Sequence, residues 1–171
     1  SILDESPTGR GEIVTALRDA GKDIQKASRF LKDHLSKGRQ AYLVYPLVED
    51  SEKLKAQSVE GEYQKWVKRL APFKCSLLHG RIPAEEKESI MHDFREARTD
   101  VLVATTVIEV GVDVPNANMM YIYNAERFGL AQLHQLRGRI GRGKHKSFCI
   151  LMADKPSAEA SEKLRVLEES S

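Results

Sequence analysis

Five short, almost unbroken apolar runs limit what this chain can fold into: AYLVYPL (41–47), FKCSLL (73–78), DVLVAT (100–105), MMYIYN (119–124) and SFCILMA (147–153). Strands with one wet face alternate apolar and polar residues; runs like these belong to strands covered on both faces. Stretches of helical period separate them. Ile24, Ala27, Leu31 and Leu35 share one face between Asp23 and Gly38, and Tyr63, Trp66, Val67 and Leu70 mark a second helix over about 51–70. Pro83 suits the first turn of a third helix, with Glu85 and Glu86 favourable at its positive end and Ile90, Met91, Phe94 and Ala97 as its inward stripe. Two more helices are expected over about 130–142 and 157–169. Strands alternating with helices, without hairpin turns, give an α/β domain of three layers: a mostly parallel sheet with helices on both faces. Ligand groups in such sheets gather on loops beyond the strand C-termini, here after Leu47, Leu78, Thr105 and Asn124.

The 171 residues suffice for one well-packed domain. Residues 1–22, rich in turn formers and charge (SPTGRGE, DAGKD), are expected to be an interdomain linker or leader, and residues 23–171 the folded domain. Net charge is only +2, so there is no global case for nucleic-acid binding, yet five Lys or Arg and no acid fall between Arg137 and Lys146. Cys75 and Cys149 lack CxxC partners, which argues against a metal site and for buried free thiols in a reducing, cytoplasmic setting. There is no run of about 18 apolar residues and no signal-peptide core, so no membrane partner is expected.

The basic run contains QLRGRIGRGK (135–144), which admits three readings. Gly138, Gly143 and Lys144 match the spacing of a phosphate-binding loop, but His145 stands where that loop needs a magnesium-binding hydroxyl. The context is also reversed, because the helical pattern precedes the glycines and a strand follows them. A second reading takes the helix itself: at roughly 100° per residue, Gln135, Arg139 and Arg142 stand at about 0°, 40° and −20°, one polar stripe. Two guanidiniums and an amide on one face can converge on a phosphate held by another surface. The third reading is a solvated or nucleic-acid-facing basic face, which charge runs usually are.

LLHGRIPAEEKESIMHDF (77–94), VLVATTVIEVGVDVPNA (101–117) and QLRGRIGRG (135–143) resemble, in order, motifs of the second RecA-like domain of superfamily 2 helicases. With AYLVYPLVEDSEKL (41–54) and NAERFGLAQLHQLRGRIGRG (124–143), the chain resembles the RecG family of branched-DNA translocases, and LDESPTGR (3–10) is similar to that family's connector between motor domains. The transcription-repair coupling factor shares the FGLAQLHQLRGR pattern and is the nearest alternative; a non-catalytic nucleic-acid-binding module is another.

The resemblance implies roles residue by residue. Gln135, Arg139 and Arg142 would face ATP across an interdomain cleft, with Gly111 and Asp113 beside the nucleotide; a turn aspartate before Pro115 is the plain alternative for Asp113. His79, Gly80, Arg81, Thr105, Thr106 and Glu109 would face DNA, with strand-end capping an alternative for Thr106 and core packing for Tyr45 and Pro46. It also implies that ATP and Mg2+ are held mainly by a first motor domain lying before residue 1, since no phosphate loop or DExH-type acidic motif occurs in this chain. The expectation is therefore a fragment of an ATP-dependent helicase, inactive alone, that supplies arginine fingers and DNA-backbone contacts. Forked or four-way DNA is the implied partner.

Overall fold

The computed structural model describes residues 12–46, 52–105 and 114–170, with backbone alone for 52–58. Strands β1 (Ile13–Asp19), β2 (Gln40–Tyr45), β3 (Cys75–Leu78), β4 (Val101–Thr105), β5 (Ala117–Tyr123) and β6 (Ser147–Ala153) alternate with helices α1 (Ile24–Ser36), α2 (Glu52–Leu70), α3 (Ala84–Arg95), α4 (Leu130–Arg137) and α5 (Ala158–Glu169). The strands form one parallel sheet in the order β1-β6-β5-β2-β4-β3.

Both faces of the sheet are covered, which is why its strands read as continuous apolar runs. Leu43, Val103, Met119 and Tyr121 face α1 and α2, meeting Leu31, Leu35, Trp66 and Leu70. Their strand neighbours Val44, Leu102, Met120 and Ile122 face the other way, toward Phe94, Leu133, Leu136 and Leu164 from α3, α4 and α5. Burying each such side chain contributes about 1.5–3 kcal/mol.

Three expectations need correction. Residues 13–19 are not leader but the edge strand β1, paired with β6 from Ile13–Ser147 to Asp19–Ala153 and burying Thr15 and Ala16. Its signal is weak because only one neighbour strand covers it. The outward amide of Leu17 instead donates to Oε2 of Glu168 at 3.0 Å, on α5. The inward stripe of α3 stops at Phe94: the helix ends at Arg95, and Ala97 lies exposed in a left-handed turn with φ 61°. Helix α4 ends at Arg137 rather than near 142, with consequences for the arginines.

The sheet order creates a switch point. The chain passes from β4 on one side of β2 to β5 on the other, so the crevice beyond the ends of β2, β4 and β5 is the natural ligand position.

Candidate functional site

At the C-terminal edge of the sheet, three strand ends stand in a row. Tyr45, the last residue of β2, pairs in register with Thr105, the last of β4. On the far side of β4, Leu78 pairs with Ala104, so His79 follows one step beyond that pair as Thr105 does. Thr105 is half-buried, whereas Gly80 and Arg81 are exposed. Thr105, His79, Gly80 and Arg81 are thus brought together. Thr106, Glu109, Gly111 and Asp113 lie outside the described residues.

Tyr45 belongs to the core. Its ring stacks on Tyr123 at 4.9 Å between centroids, 7° from parallel. Its hydroxyl accepts from Nε1 of Trp66 at 2.8 Å and donates to Oε1 of Glu62 at 3.2 Å. Burial, with the nearby Tyr123 and Glu62, pushes the Tyr45 phenol up, so it stays protonated and able to donate. This packing ties α2 to the strand ends beneath the crevice.

The arginines lie elsewhere. The last turn of α4 tightens, with the amides of Arg139 and Ile140 donating to the carbonyls of Leu136 (2.9 Å) and Arg137 (3.3 Å). Gly141, at φ 82°, then turns the chain out of the helix. The stripe of Gln135, Arg139 and Arg142 at helical pitch therefore does not exist: Gln135 is on the helix, Arg139 in the turn, and Arg142 past a left-handed glycine. Two glycines within four residues, each unfavourable in a helix, explain the early end. Arg142 is exposed and curls back, its Nε 3.4 Å from the Gly138 carbonyl, where the negative end of the helix favours a guanidinium.

This segment sits at the opposite, N-terminal edge of the sheet. A Cβ added to Gly143 would lie 2.6 Å from the carbonyl oxygen of Pro115, two residues before β5 begins. Only glycine allows that approach, and it locks the residues beside Arg142 onto the end of the 106–113 connection. Around them, Asn118 Nδ2 donates to the Lys146 carbonyl at 2.8 Å, and an Arg39 guanidinium nitrogen lies 3.1 Å from His145 Nδ1. Beneath, the buried Gln40 side chain donates to the carbonyls of Phe94 (2.6 Å) and Thr99 (2.9 Å) and accepts from Asn116 Nδ2 (3.0 Å). The strand that follows Gly143, β6, begins at Ser147 with no helix between, so the loop does not cradle phosphate in the manner of a glycine-rich strand-to-helix turn.

Arg137, which sequence reasoning passed over, is structural. One guanidinium nitrogen donates to Thr15 Oγ1 (3.1 Å) and to the carbonyls of Leu167 (3.0 Å) and Ser170 (2.6 Å), and the other to Ser170 Oγ (3.2 Å). It binds β1, α4 and the end of α5 together. Nothing in the local sequence distinguishes it from Arg139 and Arg142, because its partners lie 122, 30 and 33 residues away.

Among the described residues no group of three His, Cys, Asp or Glu could hold a metal ion. No helix among them is long and apolar enough to cross a membrane. Burial pushes both free thiols, Cys75 and Cys149, up to about 12. A groove of about 390 Å3 under α1, lined by Val14, Phe30, Tyr121 and Phe148 among others, includes none of the sequence-predicted site residues.

A parallel sheet with a basic, glycine-broken segment at one edge and a switch-point crevice at the other defines a class. The helicase conserved C-terminal domain matches residues 23–144, and the chain belongs to that family. Within it the chain falls in the RecG group. It is 48% identical to the ATP-dependent DNA helicase RecG of Thermotoga maritima over 166 residues, covering 96% of this chain and 21% of that protein. RecG of Synechocystis sp. is 46% identical over 171 residues, covering 99% of this chain and 20% of that protein. A solved structure of RecG bound to a three-way DNA junction superposes with a TM-score of 0.81 at 44% identity, over 98% of this chain and 21% of that one. The chain thus spans about a fifth of the length of these relatives.

Proposed function

We propose that this domain works as one half of an ATP-driven DNA translocase of the RecG type, acting on branched DNA, with the other half of the ATPase site on a first motor domain. The observation that carries the reading is the link between the two edges. The connection that leaves β4 at Thr105, on the C-terminal edge, ends at Val114–Pro115 on the opposite edge, where Gly143 is packed against it.

ATP, bound with Mg2+ chiefly by the partner domain, supplies the phosphoryl group whose transfer drives movement. The residues here suit an approach from outside: an exposed guanidinium at Arg142 and a half-buried one at Arg139. They do not suit a metal ion, in keeping with the lack of a carboxylate or histidine cluster among the described residues. On domain closure, Arg142 meets the charge that develops on the transferred phosphoryl oxygens, a preorganised stabilisation. Thr105 and Arg81 meet the DNA backbone at the other edge; such contacts position the motor without reading sequence. The family resemblance assigns Gly111 and Asp113 to the nucleotide and Thr106 and Glu109 to DNA; all four lie outside the described residues.

Arg142→Ala in the full-length protein tests this. DNA-stimulated ATP turnover should fall by about 10³-fold or more, with ATP binding largely retained. Turnover near wild type would remove the arginine finger.

A further inference from the structure

The His79 side chain is only 10% exposed. Nδ1 accepts the backbone N–H of Arg81 at 3.1 Å. That nitrogen therefore carries a lone pair, and the proton sits on Nε2, which faces Oε1 of Glu60 on α2 at 3.6 Å. The backbone of the same turn closes through the Ile82 amide to the His79 carbonyl at 3.2 Å. Two residues on, Arg81 is exposed, and at Gly80 an added Cβ would meet nothing within 4 Å. The turn is thus held from beneath by a nearly buried ring whose Nδ1 is already used within the turn, and it presents a guanidinium and an open stretch of backbone above.

We propose that His79 is a positioning residue rather than a DNA ligand: it fixes the 79–82 turn so that Arg81 and the Gly80 backbone meet a DNA phosphate beside Thr105. This rests on the reading of the C-terminal edge as the DNA side. The bond from a side-chain acceptor to the N–H two residues later is one that Asn makes readily, as in Asx-turns. Asn at this position keeps the turn while losing the imidazole and its reach to Glu60. The Glu60 contact is long and Glu60 is 55% exposed, so it adds little to the hold on the turn.

The test uses the full-length protein, reading the DNA concentration for half-maximal ATPase stimulation, maximal turnover, and the salt dependence of DNA binding. Thermal melting checks that each variant is folded. Arg81→Ala should raise the half-maximal DNA concentration roughly tenfold, as loss of a charge-assisted contact does. It should also lower the magnitude of the log–log salt slope by about 0.7–0.9. His79→Ala should move affinity and salt slope the same way, although it removes no cation. His79→Asn should restore both to within about twofold of wild type, and His79→Ala with Arg81→Ala should be no worse than Arg81→Ala alone. His79→Asn as damaging as His79→Ala, or a double variant equal to the product of the singles, would overturn the proposal by giving His79 its own contact. Wild-type affinity in Arg81→Ala would instead remove the turn from the DNA side and sink both readings.

Discussion

The two edges of this sheet are built by opposite means. At the C-terminal edge, strand ends are fixed from below by side chains: Tyr45 stacks on Tyr123 and is bonded by Trp66 and Glu62, while His79 holds the turn that carries Arg81. At the N-terminal edge side chains of Gln40, Asn116 and Asn118 also bond, but the segment that carries Arg142 is set by backbone. Gly138 and Gly141 end the helix, Gly143 admits Pro115, and Arg142 is left exposed. An aromatic-braced edge suits a surface that grips a repeating phosphate chain with little sequence dependence. A glycine-set edge suits a charge that must arrive at one point in space. Between them runs the connection from β4 to β5, so the rule that ligands gather beyond strand C-termini finds only half of the proposed site.

If the glycine packing sets Arg142, Gly143→Ala should lower full-length ATP turnover by about 10²-fold, the cost of misplacing a catalytic group by an ångström or so. The added methyl should also destabilise the domain by about 1–3 kcal/mol, read from denaturant melting of the domain. Turnover unchanged in the folded variant would show that the Gly143–Pro115 contact is incidental. Arg137→Ala sharpens the contrast between neighbouring arginines. Loss of its bonds to Thr15, Leu167 and Ser170 should cost about 2–4 kcal/mol of stability, with turnover of the folded fraction preserved. A turnover loss like that of Arg142→Ala, at normal stability, would place Arg137 on the catalytic side instead.

Smaller effects test the other edge and the core. Among the described residues nothing opposes a Cβ at Gly80, so Gly80→Ala should leave the melting temperature unchanged. Its half-maximal DNA concentration should rise several-fold if a phosphate lies against that backbone, about 1 kcal/mol of contact; equal affinity would leave Arg81 as the turn's sole contact. The thiols give the least. With pKa raised by burial from 9.0 to about 12, Cys75 and Cys149 bind protons more tightly folded than unfolded. Their contribution is complete below pH 9 and declines between pH 9 and 12, and alkylation of the buried Cys149 at pH 8 should track unfolding. Rapid labelling of Cys149 in the native domain would contradict its burial.

The sequence was most legible where both faces of a strand are covered, because burial on both sides leaves an unbroken apolar run at 41–45, 75–78, 101–105, 119–123 and 147–153. It was least legible where coverage comes from far along the chain. Strand β1 alternates Thr15 and Arg18 among apolar residues, and its outer edge is satisfied by Glu168, 151 residues from Leu17. At Gln135–Lys144 the residue types were readable but their geometry was not. Leu133, Leu136 and Ile140 keep a helical period through Gly138, and all three are buried, so periodicity continued past the point where the helix stops. His79 carried the inverse ambiguity. Its position beyond a strand end suggested a ligand, and only the structure reveals that the ring is nearly buried with Nδ1 accepting the Arg81 amide.

The central claim is that phosphoryl-transfer chemistry and DNA grip occupy opposite edges of one sheet. It is tested most directly by measuring DNA affinity in the absence of ATP, and ATP turnover at saturating DNA, on Arg142→Ala and Arg81→Ala in the full-length protein. Arg142→Ala should bind DNA as wild type does and turn over ATP about 10³-fold more slowly. Arg81→Ala should bind DNA roughly tenfold more weakly and, once saturated, turn over normally. If Arg142→Ala loses DNA affinity as Arg81→Ala does, the two edges serve one ligand and the division drawn here is wrong.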